Sequence, residues 1–344
     1  MSVQITKRPR LEYEHPPIKI NSGVSIEQEK QSKGNAQMSL NVAFVGGSKA
    51  GLPAVKDCCS LMIQTGDHAD SDRWGALEDM PQLAYERTYH SAGIAGECIV
   101  ACGGYKRFPE KMLCKAEMLR PGDSTWLPIA DLPENRCGHG AGHLNNQYVA
   151  VSGYGCKNSL QYSAKTDEWL PLPALKSERY RVGVASVGDH TLYAIGGWCA
   201  EIGSVQSTAL LDSRTDSWTK VAAMETARHG FATAYCDRSQ QIYTIGGVLG
   251  TGATSDAVER YDIRADTWET LPSLPEGING ALAVSIYKSG ATGADVYVFG
   301  GAKQDKTIME EVRVYDSTTN EWGSTKGPAD LAACKNSQLV ILAK

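Results

Sequence analysis

Short apolar runs that stop at glycine punctuate the chain almost from end to end. NVAFVGG (41–47), CIVACGG (98–104), LYAIGG (192–197), IYTIGG (242–247) and VYVFGG (296–301) all close on two adjacent glycines. YVAVSGYG (148–155) is a sixth copy, with Ser152 in place of the first glycine. Runs this short, rich in β-branched and aromatic residues, predict strands, and the glycines predict tight turns after them. A second pattern precedes the first: small-residue runs such as VGVASV (182–187) and GALAVS (280–285). After each double glycine comes a loop of variable length, a run such as AVERYD (257–262), a short turn and a strand carrying tryptophan. Each unit therefore reads as four short antiparallel strands.

Tryptophan keeps the same beat. Trp74, Trp126, Trp169, Trp218, Trp268 and Trp322 fall once per unit, and WLPIADLP, WLPLPAL, WTKVAAM and WETLPSLP are versions of one phrase. Tyr162, Tyr261 and Tyr315 stand at one fixed distance before three of them; Arg136, Arg179 and Arg228 stand at one fixed distance after three, with Arg87 in the same place after a longer spacer. Such agreement marks an internal repeat. A four-stranded unit cannot bury both faces alone, whereas units set radially around an axis can.

The double-glycine run, the pairs Tyr261-Asp262 and Tyr315-Asp316, and the spaced tryptophan together resemble the kelch repeat. The resemblance covers residues 41–344 and implies an all-β fold, a six-bladed β-propeller. Departures are Ser152, then Ile278 and Ala332 where other units carry arginine, and a first unit stretched by SKAGLPAVKDCCSLMIQTGDHADSDRW without a clear Tyr-Asp pair. The first unit also lacks its small-residue strand, and the C-terminal LAACKNSQLVILAK supplies a spare one. The C-terminus is therefore expected to complete the N-terminal blade; pattern alone does not choose between LAACK and QLVILAK. Residues 1–40 are polar and read as a disordered tail. Within it Lys7, Arg8 and Arg10 form a short basic cluster of the kind that serves as a nuclear import signal.

Composition narrows the function. The 344 residues include 35 Gly, 15 Tyr and 7 Trp against 4 Phe, as suits strands joined by tight turns. A net charge of −5 does not favour nucleic acid as a partner. No apolar run reaches membrane-spanning length, and MSVQITKRPRLEYEHPP lacks a secretory apolar region, so a cytoplasmic or nuclear protein with no membrane partner is expected. The ten cysteines contain no C-x-x-C pair, which points to reduced, mostly buried thiols rather than zinc or disulfides.

Catalytic chemistry finds little support. GGVLGTGATS (246–255) is followed by a strand-like DAVERYD and no Gly-Lys-Ser/Thr, so it reads as a loop rather than a phosphate cradle. His139 and His143 lie four residues apart on one strand, about 13 Å, too far for one metal ion. No nucleophile elbow occurs, and neither a metal nor a cofactor is expected. His90 and His139 stand three places after Arg87 and Arg136, which makes them candidates for the propeller's funnel.

The same resemblance implies that function sits on a face of loops, where kelch adaptors receive a partner peptide and arginines grip its acidic groups. Matching positions here are Arg181, two places after Arg179, and Tyr180 and His229, each directly after a unit arginine. Behind the glycines come Tyr105 with Lys106 and Arg107, Trp198, and Tyr154 after the degenerate pair. Trp198 falls outside the spacing of the other six tryptophans. The expectation is a monomeric, non-catalytic propeller that binds protein partners, as ubiquitin-ligase receptors or cytoskeletal proteins of this kind do. The alternative is a small-molecule enzyme such as a sugar-acid mutarotase, using Arg, His and Glu in the funnel.

Overall fold

The computed structural model describes residues 38–49, 52–65, 74–106, 112–287, 294–327 and 338–342. Lys7, Arg8, Arg10 and Arg107 lie outside these residues. The described chain forms six four-stranded antiparallel sheets and two two-stranded ones. It is a six-bladed β-propeller. Blade 4 shows the plan: Gly183–Val187 nearest the axis, then Thr191–Ile195, Thr208–Asp212 and Ser217–Val221 outermost. The inner strand is the small-residue run, because blades converge there. A Cβ on Gly140 of blade 3 would lie 2.2 Å from Val184 Cγ2 of blade 4.

The repeat letters each acquire a physical reason. At the end of the second strand the backbone turns left-handed, with φ of 65° at Gly103 and 68° at Gly246, and a Cβ there would lie 2.4 Å and 2.5 Å from a carbonyl of the next blade. Ser152 takes the same turn at φ 55°; its hydroxyl donates to the Cys156 carbonyl and accepts from the Arg179 amide, 2.9 and 2.7 Å, which offsets the strain. The tryptophans fasten blade to blade. The indole N–H groups of Trp126, Trp169, Trp218, Trp268 and Trp322 donate to Pro81, Ala130, Pro173, Ala222 and Pro272, all at 2.7–2.9 Å on the preceding blade's outgoing segment. Tyr162 and Tyr261 donate to Asp167 and Asp266, and those carboxylates also accept the amides of Ala130 and Ala222.

The ring closes as the sequence implies, and QLVIL is the segment that does it: Gln338–Leu342 pairs antiparallel with Met38–Lys49 from Asn41↔Leu342 to Val45↔Gln338. The described strand Met38–Lys49 thus includes three residues before position 41. The stretched first unit is largely a long hairpin, Met38–Lys49 against Leu52–Thr65. Its missing tyrosine is Ile63, which faces Trp74 as Tyr162 faces Trp169.

The seam between blades 6 and 1 is built differently from the others. Trp74 packs edge-on against Tyr297 and Phe299, and Phe44 against Phe299, but the Trp74 indole nitrogen is buried with no hydrogen-bond partner among the described residues. Blade 6 also carries buried Ile278 in place of the unit arginine. Loss of the indole hydrogen bond that fastens the other seams makes this the place where the ring opens first. Native-state hydrogen exchange should therefore show the amides of Leu339–Ile341 exchanging before those of Leu192–Ala194; uniform protection around the ring would contradict it.

Candidate functional site

The unit arginines come first, because they decide what is available for binding. Arg87, Arg136, Arg179 and Arg228 are all buried. Each donates to the carbonyl ends of its own blade: Arg87 to Gly103 and Lys115 (2.9, 3.0 Å), Arg228 to Gly246 and Ala257 (2.6, 2.8 Å). Arg87 and Arg228 also pair with the buried carboxylates of Glu117 and Glu259, at 2.6 and 2.9 Å. Arg179 has no such carboxylate, and its burial lowers its pKa to about 10. These buried guanidinium groups are spent on the fold.

The residue after each unit arginine bridges the residue after each double glycine. Thr88 exchanges backbone hydrogen bonds with Tyr105, Tyr180 with Trp198, and Asn279 with Ala302; His229 pairs with Val248. Trp198 therefore does occupy a repeated position, one defined by backbone pairing rather than by tryptophan spacing.

One step further along, the chain builds the rim of the central channel. Tyr89, Gly138, Arg181, Gly230 and Gly280 each lie two places after position 87, 136, 179, 228 or 278, all with φ between 52° and 67°. They are joined head to tail between blades: Gly138 N–H to Tyr89 O (2.7 Å), Arg181 N–H to Gly138 O (2.6 Å), Gly230 N–H to Arg181 O (3.0 Å) and Gly280 N–H to Gly230 O (2.9 Å). Beneath this rim is a cavity of about 220 Å³; at the channel's other end is one of about 260 Å³, where His143 sits. His139 lines the first and His143 the second, so the two face opposite ends.

Side chains gather on the rim over blades 2 to 4. Tyr89 meets Tyr105 edge-on (centroids 6.4 Å apart) and Tyr180 at 6.0 Å; Tyr180 meets Tyr154 at 5.9 Å. Arg181 lays its guanidinium carbon 5.5 Å from the Tyr89 ring and reaches Asn279 Oδ1 of blade 6 at 3.4 Å. Tyr154 is 48% exposed; Tyr89, Tyr180, Arg181, Trp198 and His229 are half-buried, and Lys106 is exposed. Ile202, 68% exposed, tips the small hairpin that Trp198 begins. His229 accepts or donates at Ser204 Oγ (3.0 Å), and burial with the charge of Arg181 lowers its pKa to about 4, so it is neutral on this face.

Of the sequence candidates, then, Arg181, Tyr180, Tyr154, Trp198, His229 and Lys106 present surface on one face. Tyr105 is buried beneath the cluster, its hydroxyl against the Cys137 thiol. His90 and His139 are buried in the channel wall, and His139 Nε2 contacts Cys102 Sγ at 3.4 Å in a network with Tyr148 and Ser91. Tyr89 escaped the sequence reading, although it follows Arg87 at the interval by which Arg181 follows Arg179. The mutarotase alternative has Arg181, His90 and His139 around the upper cavity, but no Asp or Glu among its described lining. No group of three metal-ligating side chains occurs among the described residues, and of the nine described cysteines six are buried.

A Kelch motif family model matches residues 227–275. Kelch-like protein 36 of Bos taurus is 25% identical over 343 residues, covering 92% of this chain and 52% of its own length. Kelch-like protein 23 of Homo sapiens is 26% identical over 267 residues, 75% of this chain and 44% of its own length. The chain spans about half the length of the curated relatives it matches. Among solved structures, YjhT superposes with a TM-score of 0.61 at 13% identity, over 73% of this chain and 86% of that one, which is a likeness of fold. Repeat spacing, blade architecture and these matches agree: residues 227–275 carry a Kelch motif, the chain is similar to Kelch-like proteins, and it folds as a six-bladed β-propeller.

Proposed function

We propose that the chain is a non-catalytic protein-interaction module that receives a peptide or loop of a partner on the rim face over blades 2 to 4. One observation carries this reading: Tyr89, Tyr180 and Tyr154, from three successive blades, touch one another at 5.9–6.0 Å with their surfaces partly exposed and a guanidinium beside them. Aromatic and arginine side chains held rigidly at a surface are the usual anchors of protein interfaces. The similarity to Kelch-like proteins supports it at the level of family. Arg181 is the group that would take an acidic side chain of the partner, and Trp198 and Ile202 extend the apolar contact toward the edge of blade 4.

The double variant Tyr154→Ser, Arg181→Glu tests this reading, because both side chains reach the surface and neither holds the core. It should melt like the parent chain and lose, on affinity capture from lysate, the proteins that the parent retains. An unchanged set of captured proteins would place the interaction elsewhere on the molecule. For the tail, fusion of residues 1–40 to a fluorescent reporter should concentrate it in the nucleus if Lys7, Arg8 and Arg10 act as an import signal, which we likewise propose.

A further inference from the structure

The five described rim positions share one backbone conformation but not one residue. Gly138, Gly230 and Gly280 adopt it without a Cβ; Tyr89 and Arg181 adopt it at φ 52° with large side chains. Left-handed backbone is unfavourable for any residue with a Cβ, and its retention by a non-glycine marks a side chain that is needed where it stands. The glycines supply the complementary half. A Cβ on Gly138 would lie 2.2 Å from the Tyr180 ring, and one on Gly230 would lie 2.3 Å from Arg181 Cζ. Blade 5 thus gives up its side chain so that Arg181 can extend across the mouth toward Asn279 of blade 6.

The position of the guanidinium over the axis depends on what lies beneath it. Its bond to Asn279 Oδ1 is long, 3.4 Å, whereas the Tyr89 ring lies under its carbon at 5.5 Å. That ring is fixed on two sides, edge-on by Tyr105 (interplanar angle 90°) and tilted by Tyr180 (40°). Tyr105 and Tyr180 are themselves held by the backbone bridges to Thr88 and Trp198. A cation stacked on a rigid ring keeps its N–H edges directed outward, where a partner's acceptor can meet them.

We propose that Tyr89 is a positioning residue of the docking face: it holds the Arg181 guanidinium over the channel mouth, and the strained backbone at positions 89 and 181 is retained for that pair. The proposal rests on the interaction-module reading for its purpose, but its geometry is testable without any partner. Tyr89 acts through Arg181 rather than by forming the main contact itself.

The experiment uses the full chain with arginine labelled by nitrogen-15, and follows the Arg181 Nε–H signal, assigned by its loss in Arg181→Gly. Variants are Tyr89→Phe and Tyr89→Gly, and the probe is the peptide acetyl-Ala-Glu-Ala-amide. In the parent chain the Arg181 signal should be displaced by the ring current of Tyr89. Tyr89→Phe should keep that displacement and the peptide affinity; Tyr89→Gly should lose the displacement and weaken the peptide by roughly threefold, the scale of an exposed cation–π contact. Arg181→Gly should melt no lower than the parent chain, because the residue it introduces is the one three other blades already use. An Arg181 signal indifferent to Tyr89→Gly overturns the proposal, as does a Tyr89→Phe variant that behaves like the glycine one. A strongly lowered melting temperature in Arg181→Gly also overturns it, by showing that the side chain serves the fold. If the signal follows Tyr89 while the peptide binds no form of the protein, the positioning role stands and the acid-gripping role of the face falls.

Discussion

Replacing Arg228 with methionine lowers the free energy of unfolding by about 3–5 kcal/mol, the cost of stranding a buried charge. The guanidinium is wholly buried and makes hydrogen bonds of 2.6–3.1 Å to the carbonyls of Gly246 and Ala257, to Thr244 Oγ1 and to Glu259. Methionine fills much of the volume, so the loss is electrostatic more than steric. What remains is Glu259, 1% exposed, with its charge opposed by no cation, and a Gly246 carbonyl that has lost its arginine donor, while the Ala257 carbonyl keeps the Gly246 amide at 3.0 Å. Removing both charges in Arg228→Met, Glu259→Met should recover part of the loss, because the stranded carboxylate disappears. Recovery stays partial because Glu259 also accepts the amides of Glu225 and Thr226 at 2.7 and 3.2 Å, which are left unpaired. Arg214 provides the contrast: it holds Asp212 at 2.5 Å with its side chain 72% exposed, and Arg214→Ala should leave the denaturation midpoint unchanged. Guanidinium chloride titrations of the parent chain and the three variants measure all of this. A small loss in Arg228→Met would mean that the arginine is dispensable to the blade.

That contrast explains how much could be read from the sequence. Blade number, strand order, closure by the C-terminus and the two departures at Ser152 and Ile278 were legible because each is a repeated local demand, a left-handed turn or a packing slot, and a repeat exposes its exceptions. The roles of the repeated residues were harder. Arg87 and Arg228 were legible only as repeat positions, since nothing in the spacing of arginine tells whether its head will meet water or the ends of its own blade's strands. Trp198 looked free of structural duty because its backbone pairing with Tyr180 leaves no trace in side-chain spacing. Tyr89 was invisible for the opposite reason: among three glycines and an arginine at equivalent places, its identity follows no pattern, and only the shared left-handed backbone unites the five. Contacts between blades, such as Arg181 with Tyr89 and Asn279, depend on the radial arrangement and so could not be read from one repeat at a time.

Acidification should weaken the fold well before its carboxylates titrate. His90 and His139 are buried, 1% and 5% exposed. Burial, and after it the nearby charge of Arg87, lowers the pKa of His90 to about 3; burial and the charge of Arg136 hold His139 well below its ordinary value. Both imidazoles are therefore neutral in the folded protein, while in the unfolded chain they take up protons near pH 6.5. Below that pH the unfolded state binds more protons than the folded state, so stability falls as pH falls, by about 1.4 kcal/mol per pH unit for each histidine. The full contribution is present above pH 6.5, and the decline continues toward pH 3 for His90. By pH 5 the pair should have removed about 4 kcal/mol, at a pH where unfolded Asp and Glu are still largely ionised and contribute little. Denaturation midpoints at pH 7, 6 and 5 give the slope, and His90→Gln, which keeps a polar side chain of similar size but cannot take up the proton, should lower it by about 1.4 kcal/mol per pH unit. His139→Gln should do the same, and the double variant should keep only the smaller slope supplied by His143 and His229, whose pKa values burial also lowers. A slope unchanged in both single variants would show that the channel-wall imidazoles accept protons in the folded state, and hence that water reaches them through the rim that Tyr89 and Arg181 cover.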